Sequence, residues 1–313
     1  MISHARAPGK IILLGEHFVV HGNPALAAAL DRGVEAEASA DSEDLIVSKD
    51  LGLECPIWSP SGQLEPVAAA LQKLMRDRSL RGVKVSLKSS IPVSAGLGSS
   101  AASSVAALAA VANYFAVTVS HDTLYNLGMV SERLVHGNPS GVDVYVAVQG
   151  GMVYFKGRDR RVLSLGQRYP VMVACTGVER STGELVSRVG AFKDRSPSLY
   201  RTLAKASEKL VEDCRKALLK GNAGVIPASM NFHQQALKTM GVSSPQLDGL
   251  VREARLAGFA GAKLTGAGGG GCIVAWPDTT GFEAAFSRFH SKHPNSFTSY
   301  IPSEGVTTWQ TPS

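Results

Sequence analysis

The stretch at residues 92–102, PVSAGLGSSAA, governs how the chain around it is interpreted. An alternating strand pattern precedes it at residues 83–87, and small and apolar residues at helical spacing follow it. Small residues let the backbone bend close to a phosphate, and the free N–H groups at a helix start face an anion. The stretch therefore predicts a strand, a phosphate-binding loop and a helix, in that order.

Two other interpretations of this stretch stay open on the residues alone. It lacks the lysine of a P-loop, but it matches the G-x-G-x-x-A pattern of dinucleotide-binding folds. That pattern expects an acidic residue about 20 positions later, at the end of a strand. Here residues 116–121 read AVTVSH, and Asp122 is predicted to cap a helix. These residues argue against a dehydrogenase, while a small-residue helix packed in the core remains the structural alternative.

A second glycine-rich run lies at residues 263–272, KLTGAGGGGC. It also contains a G-x-G-x-x-G match, but a strand-like segment follows it where a dinucleotide-binding motif requires a helix. Five of the six residues 266–271 are glycine, and ordering such a loop costs much conformational entropy. The run therefore indicates a place where the backbone approaches a ligand closely.

Charged residues interrupt an apolar segment at residues 8–22, PGKIILLGEHFVVHG. Lys10, Glu16 and His17 stand there among aliphatic residues, where a buried charge needs a partner or a function. An edge strand with one solvated face would explain them equally well.

A pair of carboxylates brackets residues 132–143, ERLVHGNPSGVD. Glu132 is predicted to end a helix, and Asp143 to follow a Gly/Pro turn into a strand. One carboxylate can serve Mg²⁺ while the other orients a hydroxyl group, which are the two tasks of a kinase. Taken singly, each is also typical of a solvated helix end or turn.

Composition limits the classes of function. The 313 residues are 44% hydrophobic and 19% charged, which is typical of a globular protein of about two domains. The net charge of +6 is scattered, and the densest run, residues 158–161, has no aromatic residues interleaved. A mild basic excess also suits an enzyme with anionic ligands. The sequence therefore disfavours a nucleic-acid partner.

The four cysteines are far apart and form no CxxC pair, so we predict buried free thiols. The first ten residues have no apolar signal-peptide core, and no stretch approaches the ~20 apolar residues of a membrane helix. These features predict a cytoplasmic protein without a membrane partner.

The remaining patterns outline the secondary structure. Strands are predicted at residues 142–148, 151–155 and 170–174. Helices are predicted at residues 65–77, 123–136, 182–194, 198–219 and 223–240, with a further helix starting at Ser244–Pro245.

The four motif stretches, in this order and spread from Pro8 to Ala275, resemble the GHMP kinases. PxxxGLGSSAA and KLTGAGGGG are specific signals of that superfamily, and within it residues 8–22 and 136–143 look like the mevalonate kinases. The resemblance implies a two-domain α+β fold. Its N-terminal domain, residues 1–166, would be like the second domain of ribosomal protein S5. Its C-terminal domain, residues 167–313, would be ferredoxin-like, with ATP and substrate meeting in the cleft between the two.

The resemblance also implies roles for individual residues. Asp143 matches the catalytic aspartate, and Lys10 matches the lysine beside it. Ser100 and Glu132 match the ligands of Mg²⁺. The residues implied to bind ATP are Pro92, Ser94, Ala95, Gly96, Leu97, Gly98, Ser99, Ser100, Ala101 and Ala102. Those implied to contact the acceptor substrate are Glu16, His17, Gly266, Ala267 and Gly268.

Arg180 and Thr182 lie in TGVERSTGELV, residues 176–186, which also resembles a mevalonate kinase segment and adds both to the acceptor site. A capping box, S-x-x-E from Ser181, explains the serine but not Arg180. We therefore predict that Arg180 pairs with the substrate carboxylate. His233 stands where the family pattern has an asparagine, which leaves that part of the substrate wall open.

The resemblance implies transfer of the γ-phosphoryl group of ATP, with Mg²⁺, to the 5-hydroxyl of mevalonate in isoprenoid biosynthesis. Three alternatives remain: another GHMP kinase such as phosphomevalonate kinase, a non-catalytic ligand-binding member, and a nucleic-acid binder. The joint presence of Lys10, Ser100, Glu132 and Asp143 argues against a pure binder. The choice between a monomer and a homodimer stays open.

Overall fold

Two β-sheets and the helices packed on them organise the chain. The computed structural model describes residues 1–92, 95–137, 139–178, 182–278 and 281–312, with Thr182 described by its backbone alone. The strands in these ranges are β1 (Ile2–Leu14), β2 (Ala25–Ala40), β3 (Leu45–Ser48), β4 (Leu53–Pro56), β5 (Val83–Ser89), β6 (Met152–Lys156), β7 (Asp159–Leu163), β8 (Tyr169–Cys175), β9 (Phe259–Thr265), β10 (Cys272–Pro277), β11 (Phe297–Ile301) and β12 (Thr307–Thr311). The helices are α1 (Glu65–Arg78), α2 (Ser99–Tyr114), α3 (His121–His136), α4 (Val142–Gln149), α5 (Thr182–Arg195), α6 (Pro197–Leu218), α7 (Ile226–Thr239), α8 (Pro245–Ala257) and α9 (Phe282–His290).

The first sheet is built on the long antiparallel pair of β1 and β2. Its strand order is β12-β1-β2-β5-β3-β4, and β6 and β7 extend from β2. Because β12 pairs with β1, the end of the chain returns to the sheet that the beginning of the chain forms. The boundary between residues 166 and 167 stays a prediction.

The second sheet has four strands in the order β11-β8-β10-β9, with every neighbouring pair antiparallel. In chain order this is a strand, helices, two strands, a helix and a strand, which is the ferredoxin-like pattern. The structure confirms the predicted α+β class and the ferredoxin-like C-terminal half.

Apolar contacts join the two sheets. On one face of the first sheet, α1, α2 and α3 close a core that includes Ala5 and Val34. On the other face, side chains such as Ile11 and Leu26 share a cluster with Val173 and other residues of the second sheet. This shared core fixes β1 against the C-terminal half.

Side chains of α7 cover the outer edge of β9, which is the end strand of its sheet. Asn231 donates to the carbonyl of Ala260 at 3.1 Å and accepts from the amide of Ala262 at 3.2 Å. Gln234 accepts from the amide of Leu264 at 2.9 Å. These amide side chains replace a neighbouring strand and hold β9 in place.

The predicted helices are confirmed as α1, α3, α5, α6, α7 and α8, and Ser244 caps α8 by accepting from the amide of Leu247. The predicted strand at residues 142–148 is wrong, because this segment is the helix α4. Val144 and Val148 of α4 face one apolar cluster, while Val142 and Val146 face another. A helix buried on both sides loses the amphipathic period, and its alternating valines imitate a strand.

The prediction of four free thiols is wrong for two of the cysteines. Cys175 in β8 and Cys272 in β10 are directly opposite each other in the sheet and form a disulfide. Cys55 and Cys214 are buried free thiols. Since 97 residues separate the bonded pair, only the pairing of β8 with β10 brings the two sulfur atoms together. In the described part of the chain, no helix is both long and apolar enough to cross a membrane.

The close contact between α3 and α4 generates a prediction. A Cβ atom on Gly128 of α3 would lie 2.7 Å from Cγ1 of Val144 in α4. Gly128→Ala should therefore lower the free energy of unfolding by about 1–3 kcal/mol through overpacking, despite alanine's higher helix propensity. Gly249→Ala is the matched control, because a Cβ on this α8 glycine meets no atom within 4 Å and should stabilise by up to about 1 kcal/mol. Urea denaturation of both variants measures the difference. Equal effects of the same sign would contradict the packing argument.

Candidate active site

The loop before α2 has the geometry of an anion site. Gly98 is the N-cap of α2 with φ +75°, and no side chain caps the helix there. The first N–H groups of the helix are therefore available to a ligand, and the helix dipole favours a negative one. Ala95 and Leu97 are buried, whereas Pro92 is exposed. Ser94, which was predicted to bind ATP, lies outside the described residues.

Gly98 lies directly on the side chain of Lys10. A Cβ at position 98 would lie 3.0 Å from Cγ of Lys10. The loop is also tied to β1 by the Lys10 amide, which donates to the carbonyl of Leu97 at 2.8 Å. The glycine is required here by both its left-handed conformation and the lysine beneath it.

Lys10 joins the loop to the predicted catalytic carboxylate. Its side chain is only 4% exposed, and its ammonium lies 3.2 Å from Oδ1 of Asp143. The same ammonium donates to the carbonyl of Gly96 at 3.2 Å. Asp143, in the first turn of α4, keeps 22% of its side chain exposed. The structure thus brings Lys10, Asp143 and the loop together, as predicted.

Glu132, near the end of α3, is the second predicted carboxylate of this site. Its side chain is buried, and its Oε2 has no hydrogen-bond partner within the described residues. Burial first, and the nearby charge of Asp143 second, raise the pKa of Glu132 to about 8, while Lys10 opposes the shift. His136 lies one helical turn on, with Nε2 3.6 Å from Oε1. A cation that bound here would favour the ionised carboxylate, and the proton would be released to solvent.

A serine pair that the sequence analysis missed supports both predicted metal ligands. Ser104 donates to the carbonyl of Ser100 at 3.1 Å, and its hydroxyl lies 2.7 Å from that of Ser131, the residue before Glu132. The pair ties the first turn of α2 to the last turns of α3. Serines at helical positions give no signal of this in sequence, since most of them face solvent.

Three contacts fasten the end of β1 to β9 and the loop after it. Thr265 accepts from the amide of Ile12 at 2.9 Å and donates to its carbonyl at 3.2 Å. Glu16 forms an ion pair with Lys263. The Nε2 atom of His17 bonds to the carbonyl of Ala267 at 2.8 Å. The PGKIILLGEH and KLTGA stretches therefore lie against each other across the interface between the two halves.

The ion pair of Glu16 and Lys263 is almost free of solvent, with 1% and 0% of the two side chains exposed. Burial raises the pKa of Glu16 and lowers that of Lys263, and in each case the partner's charge opposes the shift. Sequence analysis predicted Glu16 as an acceptor contact and missed its partner. The signal was available, because Lys263 stands beside the apolar Leu264 in a strand pattern.

The glycines of residues 266–271 are explained chiefly by contacts within the protein. A Cβ on Gly268 would lie 2.1 Å from the carbonyl oxygen of Val242, and one on Gly270 would lie 2.5 Å from that of Val178. Gly269 donates to Val242 at 2.8 Å. The loop is clamped between two other backbone segments, which holds Gly266 and Ala267 at the interface.

His233 lies in the core of the C-terminal half. Its Nδ1 bonds to the carbonyl of Ser229 at 2.8 Å and therefore carries the hydrogen, so that Nε2 accepts from Ser207 at 2.9 Å. Burial lowers the pKa of His233 to about 4. This neutral histidine is 0% exposed, so in this structure it forms no open substrate wall. Arg180 lies outside the described residues, and so does the side chain of Thr182.

Comparisons with known proteins show the family of the chain. The family model of the GHMP kinases N terminal domain matches residues 65–151, and that of the GHMP kinases C terminal domain matches residues 214–295. A mevalonate kinase of Aeropyrum pernix is 33% identical, with 97% of each chain covered. A mevalonate kinase of Thermococcus sibiricus is 37% identical, over 87% of this chain and 88% of the relative.

The solved structure of L. major mevalonate kinase in complex with R-mevalonate superposes with a TM-score of 0.82 at 25% identity, over 96% of both chains. The sequence matches, the fold and the arrangement of Lys10, Asp143 and the loop before α2 are all consistent with one family. The chain belongs to the GHMP kinases and, within them, to the mevalonate kinase family.

Proposed function

We propose that the chain transfers the γ-phosphoryl group of ATP to the 5-hydroxyl of (R)-mevalonate. The observation that carries this proposal is the position of the Lys10 ammonium, 3.2 Å from both the carboxylate of Asp143 and the carbonyl of Gly96 in the phosphate loop. One cation thereby joins an anion-binding loop to a partly exposed carboxylate. The 33% and 37% identity to mevalonate kinases supports mevalonate as the acceptor.

The phosphate groups of ATP would be held by the first turn of α2. The amides after Gly98 lie at the positive end of the helix dipole, and the residues from Ser99 to Ala102 have no bulky side chain to obstruct an anion. Lys10 adds a positive charge beneath this turn. Because phosphoryl transfer needs positioning and charge stabilisation above all, these groups supply the main part of the catalysis.

Asp143 would orient the acceptor and take its proton. Its carboxylate is exposed enough to reach a bound hydroxyl, and the ammonium of Lys10, 3.2 Å from Oδ1, holds the carboxylate in place. The hydroxyl would then be held in line with the γ-phosphorus. In a loose transition state, orientation by this charge contributes together with proton removal.

Glu132 and Ser100 are the residues that would hold Mg²⁺. The unpartnered, buried Oε2 of Glu132 fits a cation, and Mg²⁺ is commonly held by one or two carboxylates together with substrate phosphates and water. In the described residues no group of three or more His, Cys, Asp or Glu forms a complete metal cage, which agrees with a site that ATP completes. When bound, the ion would neutralise charge on the phosphates.

The ligands of the proposed reaction indicate the cellular compartment and the partners. We place the activity in the cytoplasm, where ATP is available, with mevalonate and ATP as partners and neither nucleic acid nor membrane. The Cys175–Cys272 disulfide is unusual for that compartment, although cytosolic disulfides do occur.

The direct test of function is ATP consumption with mevalonate, phosphomevalonate, homoserine and galactose in parallel. If the enzyme consumed ATP selectively with phosphomevalonate, mevalonate would be rejected as the acceptor in favour of phosphomevalonate.

The first prediction concerns Asp143. Asp143→Asn should keep the fold and the affinity for ATP but lower kcat by about 10²–10⁴-fold, because the amide neither takes the proton nor carries the orienting charge. Steady-state kinetics and nucleotide titration measure the two effects. The exposed Asp77→Asn is the control and should leave kcat unchanged. A folded Asp143→Asn enzyme within a few-fold of the wild type would remove Asp143 from this role.

A second prediction concerns Glu132. Glu132→Gln should raise the Mg²⁺ concentration needed for half-maximal rate, since the amide is a poorer ligand. The stability of the metal-free protein is a second measurement, and it does not depend on enzyme turnover. Because the folded pKa of Glu132 is raised to about 8, the wild type should lose stability as pH rises from about 4.5 through about 8.

The metal-free Glu132→Gln protein lacks this ionisation, so its Tm should exceed that of the wild type increasingly as pH rises. Thermal denaturation in EDTA between pH 5 and pH 9 measures it, and the exposed Glu54→Gln serves as the control. Parallel curves for all three proteins, with an unchanged Mg²⁺ requirement, would exclude Glu132 from the site.

We propose that Arg180 pairs with the carboxylate of mevalonate, which must leave water to enter the site and so needs a cation. Arg180→Ala should raise KM for mevalonate by about tenfold or more, about 1.4 kcal/mol, with little change in KM for ATP. Arg180→Lys should recover only part of the loss, because it lacks the bidentate fork. The exposed Arg195→Ala is the control. If Arg180→Ala had an unaltered KM for mevalonate, Arg180 would not be the cation that pairs with the mevalonate carboxylate.

A further inference from the structure

The turn after β1 contains a strained residue at the interface of the two halves. His17 has φ +62°, in the left-handed region that side chains other than glycine rarely adopt. Such a conformation persists only where the surrounding structure fixes it, and it is concentrated at functional sites. His17 also bonds to the carbonyl of Ala267 in the glycine-rich loop. The strain and the loop contact therefore share one residue.

The neighbours of His17 on both sides are anchored in the C-terminal half. Phe18 is 0% exposed in a cluster with Ala236 and Leu237 of α7. Glu16 forms the buried ion pair with Lys263 of β9. The ammonium of Lys263 also donates to the carbonyl of Leu264 at 2.6 Å. The two anchors thus attach the turn to α7 and to β9.

The anchors are chemically unequal. The apolar contact of Phe18 gains its free energy from burial alone and tolerates small rotations. The ion pair fixes direction, because Lys263 must stay close to Glu16 to offset the burial of both charges. A pair that served stability alone could be replaced by apolar residues, often without loss. Its place beside the strained His17 indicates a geometric task.

We propose that Lys263 is a positioning residue for the acceptor side of the active site. Through Glu16 it fixes the turn that holds His17 against the glycine-rich loop, and so sets the distance from this loop to Lys10 and Asp143 across the interface. This inference rests on the proposed function only for the identity of the acceptor. Lys263 itself is fully enclosed, with 0% of its side chain exposed.

The charged and titratable groups around the pair come from three elements. Lys10 of β1 acts electrostatically on both Glu16 and Lys263, and Lys263 in turn acts on His233 of α7. Without Lys263, burial would raise the pKa of Glu16 further, with only a backbone hydrogen bond to Glu16 and the charge of Lys10 left to oppose it. Lys263→Met should therefore be most stable at low pH and lose stability as pH rises through the raised pKa of Glu16.

The test compares the wild type, Lys263→Met and the double variant Glu16→Gln/Lys263→Met. In the double variant no charge is left buried without a partner, so its Tm should exceed that of Lys263→Met at pH 8 and should not fall with pH in the same way. Both variants should raise KM for mevalonate by about tenfold, with KM for ATP changed by less than about threefold. The phosphate loop, which β1 holds, is not disturbed.

Calorimetric binding of mevalonate, which needs no turnover, should weaken in parallel. A folded double variant with wild-type KM and wild-type affinity for mevalonate would overturn the proposal, because the pair would then serve stability alone. A double variant that does not fold would overturn it as well. The proposed function is tested separately, by the acceptor that the wild type phosphorylates. If that acceptor is not mevalonate, the three proteins are compared with the acceptor that is used. The role of Lys263 is then judged by the KM for that acceptor.

Discussion

A buried ammonium group on β1 imposes the constraint on which the active site depends. Lys10 is nearly enclosed, so its charge needs close partners, and it has them in Asp143 and the carbonyl of Gly96. The strand, the start of α4 and the phosphate loop must therefore converge on one atom. Gly98 lets the loop settle on the lysine stem, and the small residues of α2 let this helix pack closely on β1 and β2.

The same strand carries the second half of the site a few residues further on. Ile12 bonds to Thr265, and the turn that follows β1 joins Glu16 to Lys263. The proposed phosphate and acceptor sites are thus organised from one strand, with one set of partners in each half of the chain. This arrangement explains why the charged residues of PGKIILLGEH stand in an apolar segment: they are buried, and each has its partner in another motif.

Much of this could be predicted from sequence, and the failures have physical causes. Helices with one buried face, such as α3, α6 and α8, carry the helical period and were predicted correctly. The helix α4 is buried on two sides, so its valines alternate as in a strand. The disulfide of Cys175 and Cys272 depends on the pairing of β8 with β10, which no local pattern reveals. Lys263 stood out in the sequence as a charge beside an apolar residue, but its pairing with Glu16, 247 residues away, depends on the fold.

The glycines of the glycine-rich loop are needed for a different reason from the one that the sequence suggested. Its glycines suggested an approach of backbone to ligand, yet Gly268 and Gly270 are required because carbonyl groups of Val242 and Val178 occupy the space of their side chains. Clamping a loop between two backbone segments fixes it as a bound ligand would, and it does so before any ligand arrives. A loop that is already ordered loses little further entropy on binding, and this preorganisation benefits both affinity and rate. The motif therefore indicates a rigid loop at the proposed acceptor site, and the contacts of Glu16 and His17 extend this rigidity across the interface.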